Sequence, residues 1–108
     1  MPSISGNVAV AANTRSGNLI AGDLYEFMPS TGTVALYMTG SAAGLEVDIS
    51  IGGRTIAQAF VVPGTNRFPL REEDGVTVVR AAAGQRIFLD ALNTTAGPLT
   101  ANWLIDIF

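Results

Sequence analysis

The sequence predicts an all-β, single-domain, antiparallel β-sandwich with about eight strands. Its length of 108 residues suits one domain. Short runs of alternating or continuous apolar residues recur along the chain, and clusters of turn-forming residues separate them at intervals of about 8–12 residues. A Gly-Gly pair at Gly52 and Gly53 lies between two alternating runs, which indicates a β-hairpin. Strands without intervening helical patterns favour a sandwich over βαβ units.

The candidate strands follow one another between breaks rich in Gly, Pro, Asn and Ser. They cover residues 4–12, 18–27, 33–39, 45–51, 54–62, 76–81, 86–92 and 100–107. Residues 18–108 form the predicted β-sandwich domain. Residues 1–17 have mostly small side chains and end in a polar stretch. They form either an N-terminal arm that adds to a neighbouring subunit's sheet or the first strand.

The Gly52–Gly53 hairpin carries the strongest local signal. A two-residue loop requires positive φ angles, which glycine adopts without steric cost, so we expect a type I′ or II′ turn. The alternation predicts one buried and one solvated face for each strand. A regular register follows, and it places four residues opposite four others: Ile51 opposite Arg54, Ile49 opposite Ile56, Val47 opposite Gln58, and Leu45 opposite Phe60.

The last two predicted strands carry apolar residues on both faces. In the run 86–92, Ile87, Leu89 and Ala91 share one face, and Phe88, Asp90 and Leu92 share the other. The C-terminal run carries apolar residues on both faces, which is typical of a central or covered strand. Trp103 alternates with Ile105 and Ile107, so we interpret it as a core residue, although with Tyr25 and Tyr37 it is also a candidate sugar-stacking platform.

The composition excludes most catalytic chemistry. The chain has no His, Cys or Lys, which excludes Ser-His-Asp and Cys-His catalysis, His-ligated zinc and lysine Schiff bases. The acidic run at residues 71–75 lacks the alternating ligands of an EF-hand and is interpreted as a solvated turn. The sequence therefore predicts a protein that is not an enzyme, with no catalytic residues, cofactor or metal site.

Charge and hydropathy limit the partners. The formal net charge is −3 and the six basic residues, all Arg, are scattered, which does not favour nucleic acid. No run approaches the ~20 apolar residues of a membrane span, and the first residues lack the basic start of an export signal. Charged residues make up 14%, against roughly 25% in typical soluble domains. We therefore expect part of the surface to be covered in a homodimer or homotrimer.

Several segments together resemble small jelly-roll decoration or cement proteins of tailed bacteriophages. The resemblance spans residues 18–108 and rests on Ala35–Val47, Gly52–Arg54, Asn66–Pro69, Gly84–Leu89, Asn93–Gly97 and Asn102–Ile107. It implies a structural virion protein, made in the host cytoplasm, that binds the major capsid protein on the outside of the head and stabilises it. The alternative is a carbohydrate-binding or adhesin-like β-sandwich module, because this fold class hosts both.

Residue assignments follow from that resemblance. The expected capsid contacts are Asn13, Arg15, Asn66, Arg67 and Phe68. The expected self-association contacts are Leu104 and Phe108.

Overall fold

The computed structural model describes residues 3–23 and 25–108 and shows an all-β sandwich, which confirms the predicted fold class. The eight strands are β1 (Ser3–Val10), β2 (Arg15–Asn18), β3 (Gly32–Gly40), β4 (Leu45–Ile51), β5 (Arg54–Val61), β6 (Gly75–Ala81), β7 (Ile87–Asn93) and β8 (Leu99–Ile107). Within the described ranges, no helix has the length and apolar character needed to cross a membrane.

The strands form two four-stranded sheets. Sheet I has the order β1-β8-β3-β6 and sheet II has the order β2-β7-β4-β5, with every neighbouring pair antiparallel. Strands 1, 3, 6 and 8 thus lie opposite strands 2, 4, 5 and 7, which is the arrangement of a jelly roll.

The core lies between the sheets and follows from side-chain alternation. Along β4, burial alternates strictly, and the inward residues are Leu45, Val47, Ile49 and Ile51. Sheet I contributes inward side chains from β3 and β8, including Trp103, which is 7% exposed. The interpretation of Trp103 as a core residue is therefore confirmed. Gly6 of β1 lies against its ring, because a Cβ there would come within 2.7 Å of Trp103 Cζ2.

The Gly52–Gly53 turn is confirmed, but the predicted register fails beyond its first pairs. Both glycines have positive φ (60° and 83°), as a type I′ turn requires, and Ile51 pairs with Arg54. Farther along, Ile49 pairs with Ala57 and Val47 pairs with Phe60. Extra residues in β5 form two bulges, and each bulge shifts the register that simple alternation predicts.

The N-terminal region departs from the predicted strand boundaries. Residues 3–10 form β1, paired along its whole length with β8, while residues 1 and 2 of the proposed arm lie outside the described residues. The predicted strand 18–27 is wrong, because β2 ends at Asn18 and turns follow it. The N–H of Ala21 donates to the carbonyl of Asn18, and the N–H of Asp23 donates to that of Ile20. Leu24, within that predicted strand, lies outside the described residues.

The connection between β5 and β6 covers the outer face of sheet I. The Thr39 hydroxyl donates to the carbonyl of Arg67, and Arg71 donates to both carboxylate oxygens of Asp106 at 2.7 and 3.0 Å. Leu104 lies between these two anchor points on the same face of β8 and is 4% exposed. A connection that crosses the sheet explains why both faces of β8 are apolar.

Candidate functional site

The candidate site is a groove on the outer face of sheet II, which we call the bulge groove. It encloses about 190 Å³ beside the two bulges of β5. Its lining combines polar and apolar residues from three adjacent strands: Asp48, Ile49, Ser50, Thr55, Ala57, Gln58 and Phe88. Bulges redirect side chains and often lie next to functional sites, so the groove is a direct product of the irregular β5.

Asp48 holds the bulge at Gln58 and Ala59 in place. Gln58 and Ala59 are the two residues of β5 that lie opposite the single residue Asp48. Ala59 has a φ of 53°, in the left-handed region that L-residues other than Asn and Asp rarely adopt. Its N–H donates to Asp48 Oδ1 at 2.7 Å. The carboxylate therefore satisfies the donor that the bulge removes from regular pairing.

Asp48, Asp90 and Arg15 form a row of charged side chains across β4, β7 and β2, which we call the polar row. Asp90 of β7 pairs directly with Asp48 of β4, and Arg15 Nη1 lies 2.7 Å from Asp48 Oδ2 and 3.1 Å from Asp90 Oδ2. The N–H of Gly17 donates to the other oxygen of Asp90 at 3.0 Å. The Ala59 N–H, followed by Arg15, lowers the pKa of Asp48 despite the opposing effect of burial. Asp48 is therefore ionised at neutral pH.

The Phe88 ring and two hydroxyl groups lie next to the polar row. Phe88 of β7 pairs with Ser50 of β4, and Ser50 pairs with Thr55 of β5, so one half-buried ring and two hydroxyls cross three strands. The Arg86 guanidinium lies 5.6 Å from the centre of the Phe88 ring, within cation–π range. Arg86 Nε also donates to Glu26 Oε2 at 2.7 Å. The N–H of Gly22, together with Arg86, lowers the pKa of Glu26.

The structure separates the predicted capsid-contact residues into three places. Asn13 and Asn66 lie in loops at one end of the sandwich, since Asn13 bonds to Thr95 and Asn66 bonds to Gly40. Arg67 and Phe68 lie on the connection over sheet I, where Arg67 pairs with Glu73 and Asp74 and Phe68 is 54% exposed. Arg15 lies on sheet II at the bulge groove. Arg15 therefore lies on a different sheet from the connection that carries Arg67 and Phe68.

The two predicted self-association residues differ in exposure. Phe108 is 57% exposed, while Leu104 is 4% exposed beneath the β5–β6 connection. Leu104 therefore has almost no surface to offer a second copy. The cause is tertiary, because the connection that covers Leu104 is far from it in sequence.

The sequence alone does not predict the bulge groove. Alternation places Phe88 and Asp90 on one face of a strand, but the predicted sugar-stacking rings are Trp103, Tyr25 and Tyr37. The structure puts Trp103 on the inner face of sheet I and Tyr37 on its outer face, and Tyr25 packs against the core. The signal is that Phe88 and Asp90 share the outer face of β7, beside Ser50 and Asp48 on β4. It is recognised only once the β4–β7 pairing is known.

The acidic run is a turn held by an arginine. Asp74 is buried and accepts from the N–H of Leu70 at 2.7 Å and from Arg67. Burial, the largest effect, raises the pKa of Asp74, but the Leu70 N–H and Arg67 together lower it below its usual value. Among the described residues, no group of three or more acidic side chains is arranged to hold a metal ion.

Comparison with known proteins finds similarity at the level of structure. No protein-family model and no curated protein sequence matches this chain. A solved structure of a carbohydrate-binding module, described as CBM36 in complex with calcium and xylotriose, matches with a TM-score of 0.46 and 19% identity. The match covers 97% of this chain and 88% of that one. A similarity at this level carries no information about ligands.

Proposed function

We propose that this protein is a carbohydrate-binding β-sandwich module that holds one sugar ring at a time in the bulge groove. The observation that supports it is the adjacency of Phe88 to Asp48, Ser50, Thr55 and Gln58 on one open sheet face. A sugar ring has an apolar C–H face and a rim of hydroxyls, so it requires an aromatic surface and polar groups side by side.

The polar groups suit hydroxyl recognition. Asp48 is ionised and accepts bonds from Ala59 and Arg15, and each of its oxygens keeps further acceptor capacity for a sugar hydroxyl. Gln58 supplies both a donor and an acceptor, and Ser50 and Thr55 supply hydroxyls that do either. Because Asp48 is fixed by two partners, little side-chain entropy is lost when a ligand binds.

The size of the groove fits a chain lying along the surface. Its volume of about 190 Å³ is below the roughly 300–1,000 Å³ of pockets that enclose a drug-sized ligand. One ring of a longer saccharide matches that size, and its neighbours would lie on the exposed surface of sheet II. We expect weak binding, with Kd in the range of about 10 μM to 1 mM, because few groups are buried.

A glycan array followed by calorimetry with the best saccharide tests the proposal. Phe88→Ala and Gln58→Ala should each raise Kd by about tenfold or abolish binding. Phe68→Ala is the matched control, since it removes an exposed ring on the opposite side of the sandwich. Absence of binding to any glycan, or equal loss of binding in Phe68→Ala and Phe88→Ala, would contradict the proposal.

Capsid decoration is a second candidate function, favoured by the exposed ring of Phe68 on the connection over sheet I. Phe68 is 54% exposed, so the β5–β6 connection presents an apolar ring to solvent. An exposed ring of this kind suits a partner surface. Co-sedimentation with empty heads of tailed phages, lost in Phe68→Ala and kept in Phe88→Ala, would favour this function over carbohydrate binding.

A further inference from the structure

The free edge of β1 differs from the other three sheet edges in its regularity. Sheet I ends at β1 and β6, and sheet II ends at β2 and β5. Three of these edges are irregular, because β2, β5 and β6 each carry a register shift against their neighbour. Such irregularities discourage pairing with another chain. β1 pairs with β8 over eight residues in an unbroken register and contains no charged residue.

The backbone groups of β1 that face outward can be identified from the neighbouring strands. Thr33 and Phe108 exchange two backbone hydrogen bonds, and Ser41 N–H donates to the carbonyl of Thr100. Even-numbered residues of β8 therefore face β3, and odd-numbered residues face β1, because bonded pairs alternate along antiparallel strands. In the β1–β8 register, those odd residues pair with Ile4, Gly6, Val8 and Val10.

The remaining four residues of β1 direct their N–H and C=O groups to the free edge. They are Ser3, Ser5, Asn7 and Ala9, and all four are exposed. Their side chains are small and uncharged, so another backbone can approach closely. The row is long enough for a stable ladder and has none of the protection found on the other three edges.

We propose that β1 pairs antiparallel with β1 of a second copy, which makes the protein a two-fold symmetric dimer with a continuous sheet. A two-fold axis at Gly6 sets Ser3 opposite Ala9 and Ser5 opposite Asn7, so every edge-facing residue gains a partner. About eight backbone hydrogen bonds then link the two copies. Axes at Ser5 or Asn7 leave at least one edge residue unpaired.

The same register places apolar side chains together. Ile4 and Val8 lie on the inner face of sheet I, opposite Ile105 and Ala101, and Val8 is 38% exposed at the open border of the core. In the dimer, Ile4 of each copy lies next to Val8 of the other. The pairing therefore removes apolar surface from water as well as satisfying backbone groups. A ladder of this kind closes at two copies, so it predicts a dimer rather than a trimer.

Sedimentation velocity of the full chain, from about 1 to about 100 μM, tests the dimer. Asn7→Pro removes one edge-facing N–H from each copy without touching a bond to β8, and the preceding Gly6 tolerates a proline neighbour. We expect the dimer Kd to rise by about tenfold or more, because the symmetry makes the substitution act twice. Val78→Pro is the matched control, since Val78 directs its N–H to the free edge of β6.

Amide hydrogen exchange locates the interface. On raising the concentration, the amides of Ser5 and Asn7 should gain protection, while those of Gly6 and Val8, bonded to β8, should be protected throughout. If Asn7→Pro melts without cooperativity, Asn7→Lys replaces it, since a charge on an edge also opposes pairing. A wild-type monomer over the whole range, an unchanged Kd in the Asn7 variant, or equal weakening by Val78→Pro would overturn the proposal.

Discussion

Replacing Asp48 tests how the bulge groove is built. Asp48→Ala removes the acceptor of the Ala59 N–H at 2.7 Å and the partner of Arg15 at 2.7 Å. A hydrogen bond to a charged group contributes about 1.5–3 kcal/mol. The Asp48 side chain is 33% exposed, so solvent screening lowers its contribution, and we expect a loss of about 1–2 kcal/mol. Asp48→Asn keeps an acceptor oxygen for Ala59 and should cost only about 0.5 kcal/mol.

Urea denaturation and thermal melts, both followed by circular dichroism, measure these differences. Glu46→Ala is the control, since Glu46 is the adjacent outward residue of β4 and holds no bulge. For a domain of this size, 1 kcal/mol corresponds to about 4 °C in melting temperature, so Asp48→Ala should melt about 4–8 °C lower. Equal stability of Asp48→Ala and Glu46→Ala at pH 7 would refute the role of Asp48 in holding the bulge.

The pH dependence gives an independent check. The folded pKa of Asp48 is lowered, so the unfolded chain binds a proton at this site more readily than the folded one. The stabilisation from its charge is complete above the unfolded pKa of about 3.9 and is lost as the pH falls through the folded value. The stability gap between wild type and Asp48→Asn should therefore shrink on acidification. A gap that widens at low pH would show that folding raises the pKa of Asp48 instead of lowering it.

Three further predictions concern the frame around the groove. Gly53→Val should cost about 1–3 kcal/mol through positive φ alone, since a Cβ there meets nothing within 4 Å. Gly97→Val, also in open space but without positive φ, should be near neutral in the same thermal melts. Trp103→Ala should cost about 3–5 kcal/mol by leaving a core cavity, and quenchable Trp fluorescence in the wild type would contradict it. Removing β1 should abolish cooperative unfolding, because it exposes the edge of β8 and the side of the Trp103 ring that Gly6 covers. A truncated chain with an unchanged melting temperature would show that β1 is dispensable.

Local features of this chain were readable from residue order. The turn at Gly52 and Gly53 needs positive φ at both positions, and only local chemistry enters that requirement. The alternation of β4 separates buried from solvated residues because successive side chains point to opposite faces. The burial of Trp103 and the all-β class follow from the same periodicity. The chain has no His, Cys or Lys, so chemistry that requires those side chains is excluded by composition alone.

The groove and the covered face depended on contacts between distant residues. The bulge at Gln58 and Ala59 is held by Asp48, eleven residues away, which accepts the Ala59 N–H, and no local pattern encodes that bond. Phe88 meets Ser50 only through the β4–β7 pairing, and Leu104 is buried only because the connection through Arg71 crosses its sheet. Periodicity reports which way a side chain points from its own strand. Which strand lies beside it, and what covers it, is settled by the packing free energy of the whole sandwich.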